Sequence, residues 1–186
     1  MTEPTTNIDG RSLADLRDWF LRTSTVSMPL AGMIVWAALG VAALLLPITV
    51  VGWLSVYVMA AILPLAFLLD RLRGRALFQG KENPVTGLFL QSIVGIGLMF
   101  PLVIAASQAA GNPTILVLGV AILAGIIWIQ YGWAADDPAG LRHAIVRSIG
   151  CYAAFALVPA PFKAAAICAV VVACYIYSLI VMRRPA

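Results

Sequence analysis

The sequence contains few charged residues for its length. Asp, Glu, Lys and Arg make up 11% of the 186 residues, whereas soluble proteins average about 25%. Hydrophobic residues account for 62% of the chain. Because this balance cannot provide the polar surface of a soluble domain, we expect an integral membrane protein whose partner is the lipid bilayer.

Residues that bind metal ions or form disulfides are also scarce. The chain has one histidine, and its three cysteines, Cys151, Cys168 and Cys174, lie in apolar runs without a C-x-x-C motif. We interpret the cysteines as small packing residues and expect neither a metal site nor a cofactor.

Enzyme motifs are absent from the sequence. G-x-S-x-G, H-E-x-x-H and G-x-x-x-x-G-K-[ST] do not occur. Asp136 and Asp137 are adjacent, so their side chains point apart, and we interpret them as charges at a helix start. We predict that the protein is not an enzyme.

Neither nucleic-acid binding nor a cleaved signal peptide is predicted. The net charge is +4, but the twelve basic residues form short clusters beside apolar runs rather than a stripe interleaved with aromatics. The first ten residues lack an apolar segment. We interpret residues 1–27 as a cytosolic tail followed by a short amphipathic helix.

This amphipathic helix begins at a recognisable start signal. Ser12 and Asp15 resemble a capping box, and Leu16 and Phe20 recur at helical spacing. We expect the helix to lie at the membrane interface. Docking to a partner protein is the alternative.

Six apolar runs follow, each long enough to cross a bilayer core of about 30 Å as a helix. They cover approximately residues 28–46, 50–69, 84–106, 113–133, 138–157 and 162–182. Two of them open with Asn-Pro, at Asn83 and Asn112, where Asn is a good N-cap and Pro fits the first helical turn. Pro64 and Pro101 lie inside runs and predict kinks.

The basic residues predict the orientation of these runs. Eleven of the twelve Lys and Arg residues fall on the side of the two termini, and Lys163 alone falls on the other. Cytoplasmic segments carry such an excess of Lys and Arg. We therefore predict a six-helix transmembrane domain at 28–182 and a basic tail at 183–186. Both termini would face the cytoplasm of a bacterial inner membrane.

Once oriented, six polar residues gather in the cytoplasmic third of the predicted bundle. They are Gln91, Gln130, Tyr131, Arg147, Tyr177 and Ser178. Ionisable residues inside a membrane are costly and are commonly functional, so this layer is a candidate site for binding or passing a small solute or ion. The structural alternatives are that Arg147 reaches the interface or pairs with Asp70, and that the amides link helices.

Helical spacing adds detail to this layer. His143, Arg147 and Cys151 share one face of the fifth predicted helix. Gly87 and Gly95 flank Gln91 on one face of the third, where they would let a neighbouring backbone approach the amide.

Small residues at intervals of four mark surfaces where helices could touch. Three such ridges occur, at Ala38 and Ala42, at Ala121 and Gly125, and at Ala165, Ala169 and Ala173. Packing within one bundle and homo-oligomerisation both explain them.

Several short motifs carry a family resemblance. They are Glu82-Asn83-Pro84 with Gly87 and Gln91, Phe100-Pro101-Leu102, and Tyr131-Gly132. With them the chain is similar to an uncharacterised bacterial family of small polytopic membrane proteins, a domain of unknown function. The resemblance implies a fold class and no activity.

Two functions therefore stay open for an all-α bundle of six transmembrane helices with an amphipathic N-terminal helix. The first is a component that binds or transports a small solute or ion of unknown identity. The second is a non-catalytic membrane subunit or scaffold that engages a partner protein.

Overall fold

The chain folds into helices throughout the part that the structure describes. The computed structural model describes residues 10–74 and 82–183. Its helices are α1 (Leu13–Thr23), α2 (Ser27–Leu45), α3 (Ile48–Leu72), α4 (Pro84–Gly97), α5 (Phe100–Ala109), α6 (Pro113–Ala135), α7 (Ala139–Leu157) and α8 (Lys163–Val181). The all-α prediction is confirmed. Residues 1–9 of the predicted tail, 75–81 of the basic loop and 184–186 of the C-terminal tail lie outside the described residues.

Five segments of the described chain are long and apolar enough to cross a membrane. They are α2, α3, α4 together with α5, α6, and α8. The remaining predicted run, the fifth, corresponds to α7, which has 19 residues like α2 and α8. Its apolar character is interrupted by Arg142, His143 and Arg147.

The predicted helix starts at Asn-Pro are confirmed. The Asn83 side-chain oxygen accepts a hydrogen bond from the Val85 N–H at 3.0 Å, and that of Asn112 accepts one from the Thr114 N–H at 3.1 Å. In both cases the following proline occupies the first turn, where it has no intrahelical partner to lose.

The capping box expected at the start of α1 is also present. Asp15 accepts a hydrogen bond from the Ser12 N–H at 3.0 Å, and Ser12 Oγ accepts one from the Asp15 N–H at 3.2 Å. The hydrogen bonds from Ser12 hold the pKa of the Asp15 carboxyl below its ordinary value.

Pro101 interrupts the third predicted run, as expected. Helical structure stops at Leu98 and Met99 and resumes as α5. Since proline has no N–H, it cannot bond the carbonyl of Gly97 four residues earlier. Pro64, in contrast, lies inside α3, which continues through it as one helix.

Asp136 and Asp137 have different structural roles. Asp136 ends α6 in the left-handed region at φ 53°. Asp137 accepts hydrogen bonds from the N–H groups of Ala139 at 2.8 Å and Arg183 at 2.6 Å. Asp137 thus satisfies a free N–H at the start of α7 and ties it to the end of α8.

The core of the bundle lies between α2, α3, α6, α7 and α8. α6 also packs against α1, α4 and α5. Along α6 and α7, close approaches occur where glycines meet: a Cβ on Gly140 would lie 2.6 Å from Gly132 Cα and 2.2 Å from the Trp128 carbonyl oxygen. Only glycine allows the two helices to come this close.

α7 lies antiparallel to both of its main neighbours along its length. Against α6, Gly140 meets Gly132 and Arg147 meets Gly125. Against α8, His143 meets Ser178 and Gly150 meets Val170. These contacts lie at different heights along α7, so α7 lies alongside α6 and α8 rather than across their ends.

The small-residue ridges have different environments. Ala121 and Gly125 are buried where α6 meets α7. Ala169 and Ala173 are exposed on α8, so packing within the described bundle does not explain that ridge.

The prediction that a neighbouring backbone approaches Gln91 closely is wrong, because a Cβ at Gly87 or Gly95 would have no neighbour within 4 Å.

α1 packs against the chain's own helices. Phe20 and Leu21 are buried in a cluster with Val85 of α4 and with the last residues of α6. Arg17 Nη1 forms an ion pair with Asp136 at 2.7 Å. The Asn83 side-chain N–H donates to the Leu16 carbonyl at 2.8 Å, so one buried amide both caps α4 and holds α1.

We predict that Asn83→Ala costs more stability than Asn112→Ala. Both substitutions remove an N-cap, which is worth about 1 kcal/mol. Asn83→Ala also removes the bond to α1, and the total loss should be about 2 kcal/mol. The free energies of unfolding of the two variants in detergent, from denaturant titration, provide the comparison. Equal losses would contradict the bridging role of Asn83.

Candidate functional site

Arg147 is the most deeply buried charged residue at the centre of the bundle. Its side chain is 0% exposed, although it lies in the middle of α7. Its Nε–H donates to the Ala121 carbonyl of α6 at 2.8 Å. A Cβ at Gly125 would lie 3.0 Å from Arg147 Cδ, so glycine leaves the space that the arginine stem occupies.

Two aromatic rings border the guanidinium. Arg147 Cζ lies 5.4 Å from the ring centroid of Trp36 on α2 and 5.4 Å from that of Tyr175 on α8. Both distances are within the range of cation–π attraction. The rings therefore offset part of the cost of burying the charge.

The outer nitrogens of this guanidinium have no hydrogen-bond partner in the described chain. Arg147 Nη1 and Nη2 are buried and bond to no atom of residues 10–74 and 82–183. Neither of the two structural alternatives for Arg147, reaching the interface or pairing with Asp70, is observed. The side chain does not reach the surface. Asp70, at the end of α3, accepts hydrogen bonds from Ser27 at 2.5 Å and Thr25 at 3.1 Å instead.

His143 lies one turn before Arg147 and is equally buried, at 0% exposed. Its Nδ1 is 2.5 Å from Ser178 Oγ on α8. Its ring stacks on Trp128 of α6, with centroids 4.3 Å apart and 20° between the planes. Its Nε2 has no hydrogen-bond partner among the described residues.

Tyr175 places Arg147 and His143 side by side. Its ring centroid is 5.8 Å from that of His143 and 5.4 Å from Arg147 Cζ. This tight position depends on α2, since a Cβ at Gly32 would lie 2.4 Å from the Tyr175 hydroxyl oxygen. We call the whole group the Arg147 centre; its members are Trp36, Ala121, Gly125, Trp128, His143, Arg147, Tyr175 and Ser178.

Comparison with known proteins identifies a family but no activity. Residues 21–184 match a family of unknown function (DUF7010). The chain belongs to this family. The resemblance to a domain of unknown function is thereby confirmed. No curated protein and no solved structure matches the chain.

In this family member, the residues of the predicted polar layer occupy different environments. Arg147 and Ser178 are in the Arg147 centre. Tyr131 adjoins it, with its ring 5.7 Å from that of Trp128. Gln91 is exposed on α4, and Tyr177 is half-buried on α8.

Gln130 lies apart from the centre as well. It lines a surface groove between α4 and α6 with Phe89 and Ser92. Its buried side-chain oxygen accepts no hydrogen bond from the residues that the structure describes. The layer of six is therefore not one continuous cluster in the described chain.

The aromatic members were not among the residues singled out from the sequence. Trp36, Trp128 and Tyr175 are apolar enough to pass as ordinary helix residues. The sequence does indicate Tyr175, because it lies three residues before Ser178 and so shares its helix face.

No group of three or more His, Cys, Asp or Glu that could hold a metal ion occurs within residues 10–74 and 82–183.

We predict that Gly32→Ala disturbs the Arg147 centre. The added methyl group would overlap the Tyr175 ring and push it from its place between His143 and Arg147. Overpacking of this kind costs about 1–3 kcal/mol, which a fall in the melting temperature would report. Gly95→Ala is the matched control, because its Cβ meets open space. Equal melting temperatures for the two variants would contradict the close packing of Tyr175.

Proposed function

We propose that this protein is a six-span membrane protein that binds a small solute at the Arg147 centre, as a solute-binding or transport component. The observation that carries the proposal is the fully buried guanidinium, whose Nη1 and Nη2 form no hydrogen bond with any residue that the structure describes. The proposal includes no enzymatic step.

The buried charge of Arg147 is costly without a ligand. Removing a guanidinium from water costs several kcal/mol even after the protein relaxes, unless a counter-charge and hydrogen bonds compensate. The faces of Trp36 and Tyr175 attract the cation but do not accept hydrogen bonds in the plane of its N–H groups. A ligand with acceptor atoms would satisfy those groups.

The position of Arg147 along α7 suits a site within a membrane. At about 1.5 Å per residue, α7 is about 28 Å long and Arg147 lies about 12 Å from its start. If α7 crosses the bilayer, the guanidinium is near the middle of the hydrocarbon layer, where an ionisable residue is a functional candidate by default.

The register of α7 supports six spans. Its contacts with α6 and α8 extend from Gly140 to Gly150, and both neighbours are long and apolar enough to cross a membrane. A helix aligned with two crossing helices would cross with them. With the charge distribution, this favours cytoplasmic termini, an interfacial α1 and a bacterial inner membrane.

A hydrolytic reading of Ser178 and His143 is less well supported. The two groups are within hydrogen-bond distance, as nucleophile and base are in serine hydrolases. Ser178, however, lies inside α8, where backbone N–H groups are committed to the helix and cannot form an oxyanion hole. Within the part of the chain that the structure describes, no group bonds His143 Nε2 to orient the ring.

The scaffold alternative is also less well supported. It requires α1 to offer an apolar surface to a partner protein. Phe20 and Leu21 of α1 are already buried against α4 and α6, and Arg17 is paired with Asp136 of the same chain.

A solute panel tests the proposed function. We expect at least one solute, among small inorganic anions and cations, small carboxylates, amines and neutral polyols, to raise the melting temperature of the full-length protein in detergent. Arg147→Met should abolish that shift, because it keeps an unbranched stem beside Gly125 but removes the N–H groups. Thermal unfolding followed by tryptophan fluorescence is the measurement.

Arg142→Met is the matched control for this panel. Arg142 is exposed on the same helix, so its loss changes the net charge equally without entering the Arg147 centre. The proposal fails if no solute shifts the wild type, or if Arg147→Met and Arg142→Met respond alike.

Reporter fusions test the topology. With six spans and a cytoplasmic N-terminus, green fluorescent protein fused after Ala186 should fluoresce in a bacterial host, and alkaline phosphatase there should be inactive. Phosphatase inserted between Pro159 and Phe162 should be active, because that turn would lie outside. The opposite result at Ala186 would indicate an odd number of spans and would refute the crossing of α7.

A further inference from the structure

We propose that the ligand of the Arg147 centre is a small anion with a single negative charge, bound by the outer guanidinium nitrogens of Arg147 and by the Nε2–H of His143. This inference rests on the proposed function and gives its solute a chemical class.

The unpartnered groups of the centre indicate an acceptor ligand. They are Trp36 Nε1, Trp128 Nε1, His143 Nε2, and Arg147 Nη1 and Nη2. Indole and guanidinium nitrogens only donate hydrogen bonds. A cation would meet these hydrogens and the guanidinium charge, whereas an anion would accept from them.

His143 can donate from Nε2 when Ser178 supplies the proton that Nδ1 lacks. The Ser178 hydroxyl lies 2.5 Å from Nδ1 and can donate to it, which leaves the ring proton on Nε2. An anion beside Nε2 would select this neutral tautomer. Stacking on Trp128 holds the ring in place.

The helices around Arg147 provide no negative charge close to the guanidinium. α2, α6 and α8, which surround the guanidinium, contain no Asp or Glu. Asp70 of α3 is engaged by Thr25 and Ser27. One counter-charge from solution would therefore balance Arg147, and a divalent anion would leave an excess charge buried at high cost.

Tight packing limits the size of the ligand. Trp36 and Tyr175 border the guanidinium, Trp128 covers His143, and Gly125 touches the arginine stem. Such an enclosure suits an anion of one to a few heavy atoms, such as a halide or formate.

An anion titration of the full-length protein tests this inference. Sodium chloride, bromide, formate and sulfate would each replace sodium gluconate at constant ionic strength. We expect chloride, bromide or formate to raise the melting temperature saturably, by about 5 °C at about one hundred times the Kd. Sulfate should give a smaller shift, and gluconate serves as the bulky reference anion.

Variants connect that shift to the named donors. Arg147→Met should abolish it, and Arg142→Met should retain it. His143→Phe should weaken binding about tenfold, because it keeps a ring on Trp128 but loses the Nε2 donor, a hydrogen bond to a charged group. His143→Gln, whose amide can place an N–H near the Nε2 position, should bind more tightly than His143→Phe. If either His143 variant unfolds, the comparison of Arg147→Met with Arg142→Met still decides the inference.

The outcomes separate this inference from the proposed function. An Arg147-dependent shift with a neutral or cationic solute, and none with chloride, bromide or formate, overturns the anion and leaves the proposed function standing. A larger Arg147-dependent shift with sulfate than with any monovalent anion overturns the single charge. No Arg147-dependent shift with any solute overturns both.

Discussion

The burial of the Arg147 charge constrains more of this structure than any other single interaction. The guanidinium can lie inside the bundle only because α6 has a glycine beside its stem and a free lone pair on the Ala121 carbonyl. Aromatic residues of α2 and α8 then face it on the other sides. Three helices thus contribute the groups that accommodate one side chain of α7, which fixes how these four helices are rotated relative to each other.

The Arg147 centre is joined to α1 by a continuous row of aromatic rings. Phe20 contacts Tyr131 at 5.6 Å, Tyr131 contacts Trp128 at 5.7 Å, and Trp128 stacks on His143 at 4.3 Å between centroids. The two middle rings belong to α6, and one turn separates them along the helix. The N-terminal helix and the buried centre therefore pack on the same helix, and the position of each depends on the side chains that α6 presents.

The helix ends could be predicted from the sequence, because residues a few positions apart determine them. Asn83 and Asn112 cap helices through bonds to residues two positions away, and Pro101 breaks a helix whatever surrounds it. The environment of Gln91 could not be predicted in this way. It depends on the rotation of α4, which packs on α6 through its first turns, near Val85 and Phe89, and leaves Gln91 exposed.

For Arg147, too, the sequence predicts the local geometry but not the environment of the side chain. Its spacing from His143 follows from helix geometry and needs only the sequence. Its outer nitrogens lack a partner in the described structure because of the residues of α2, α6 and α8 that face them, and because Asp70 is bonded elsewhere. The sequence contains all of these residues, but only their arrangement distinguishes an unpaired charge from a salt bridge.

α7 is the least apolar of the long helices, and polar residues on its buried face contribute to this composition. Its exposed residues are largely apolar, and they include Leu141, Ile145, Val146, Ile149 and Tyr152. Its polar residues His143 and Arg147 are buried. A helix on the surface of a soluble protein has the opposite arrangement, with its apolar face inward. The inside-out pattern of α7 suits lipid outside and a polar centre inside. Two of the three residues that interrupt its apolar character, His143 and Arg147, belong to the centre, whereas Arg142 is exposed near the start of the helix. The buried centre therefore accounts for much of the low hydropathy of α7.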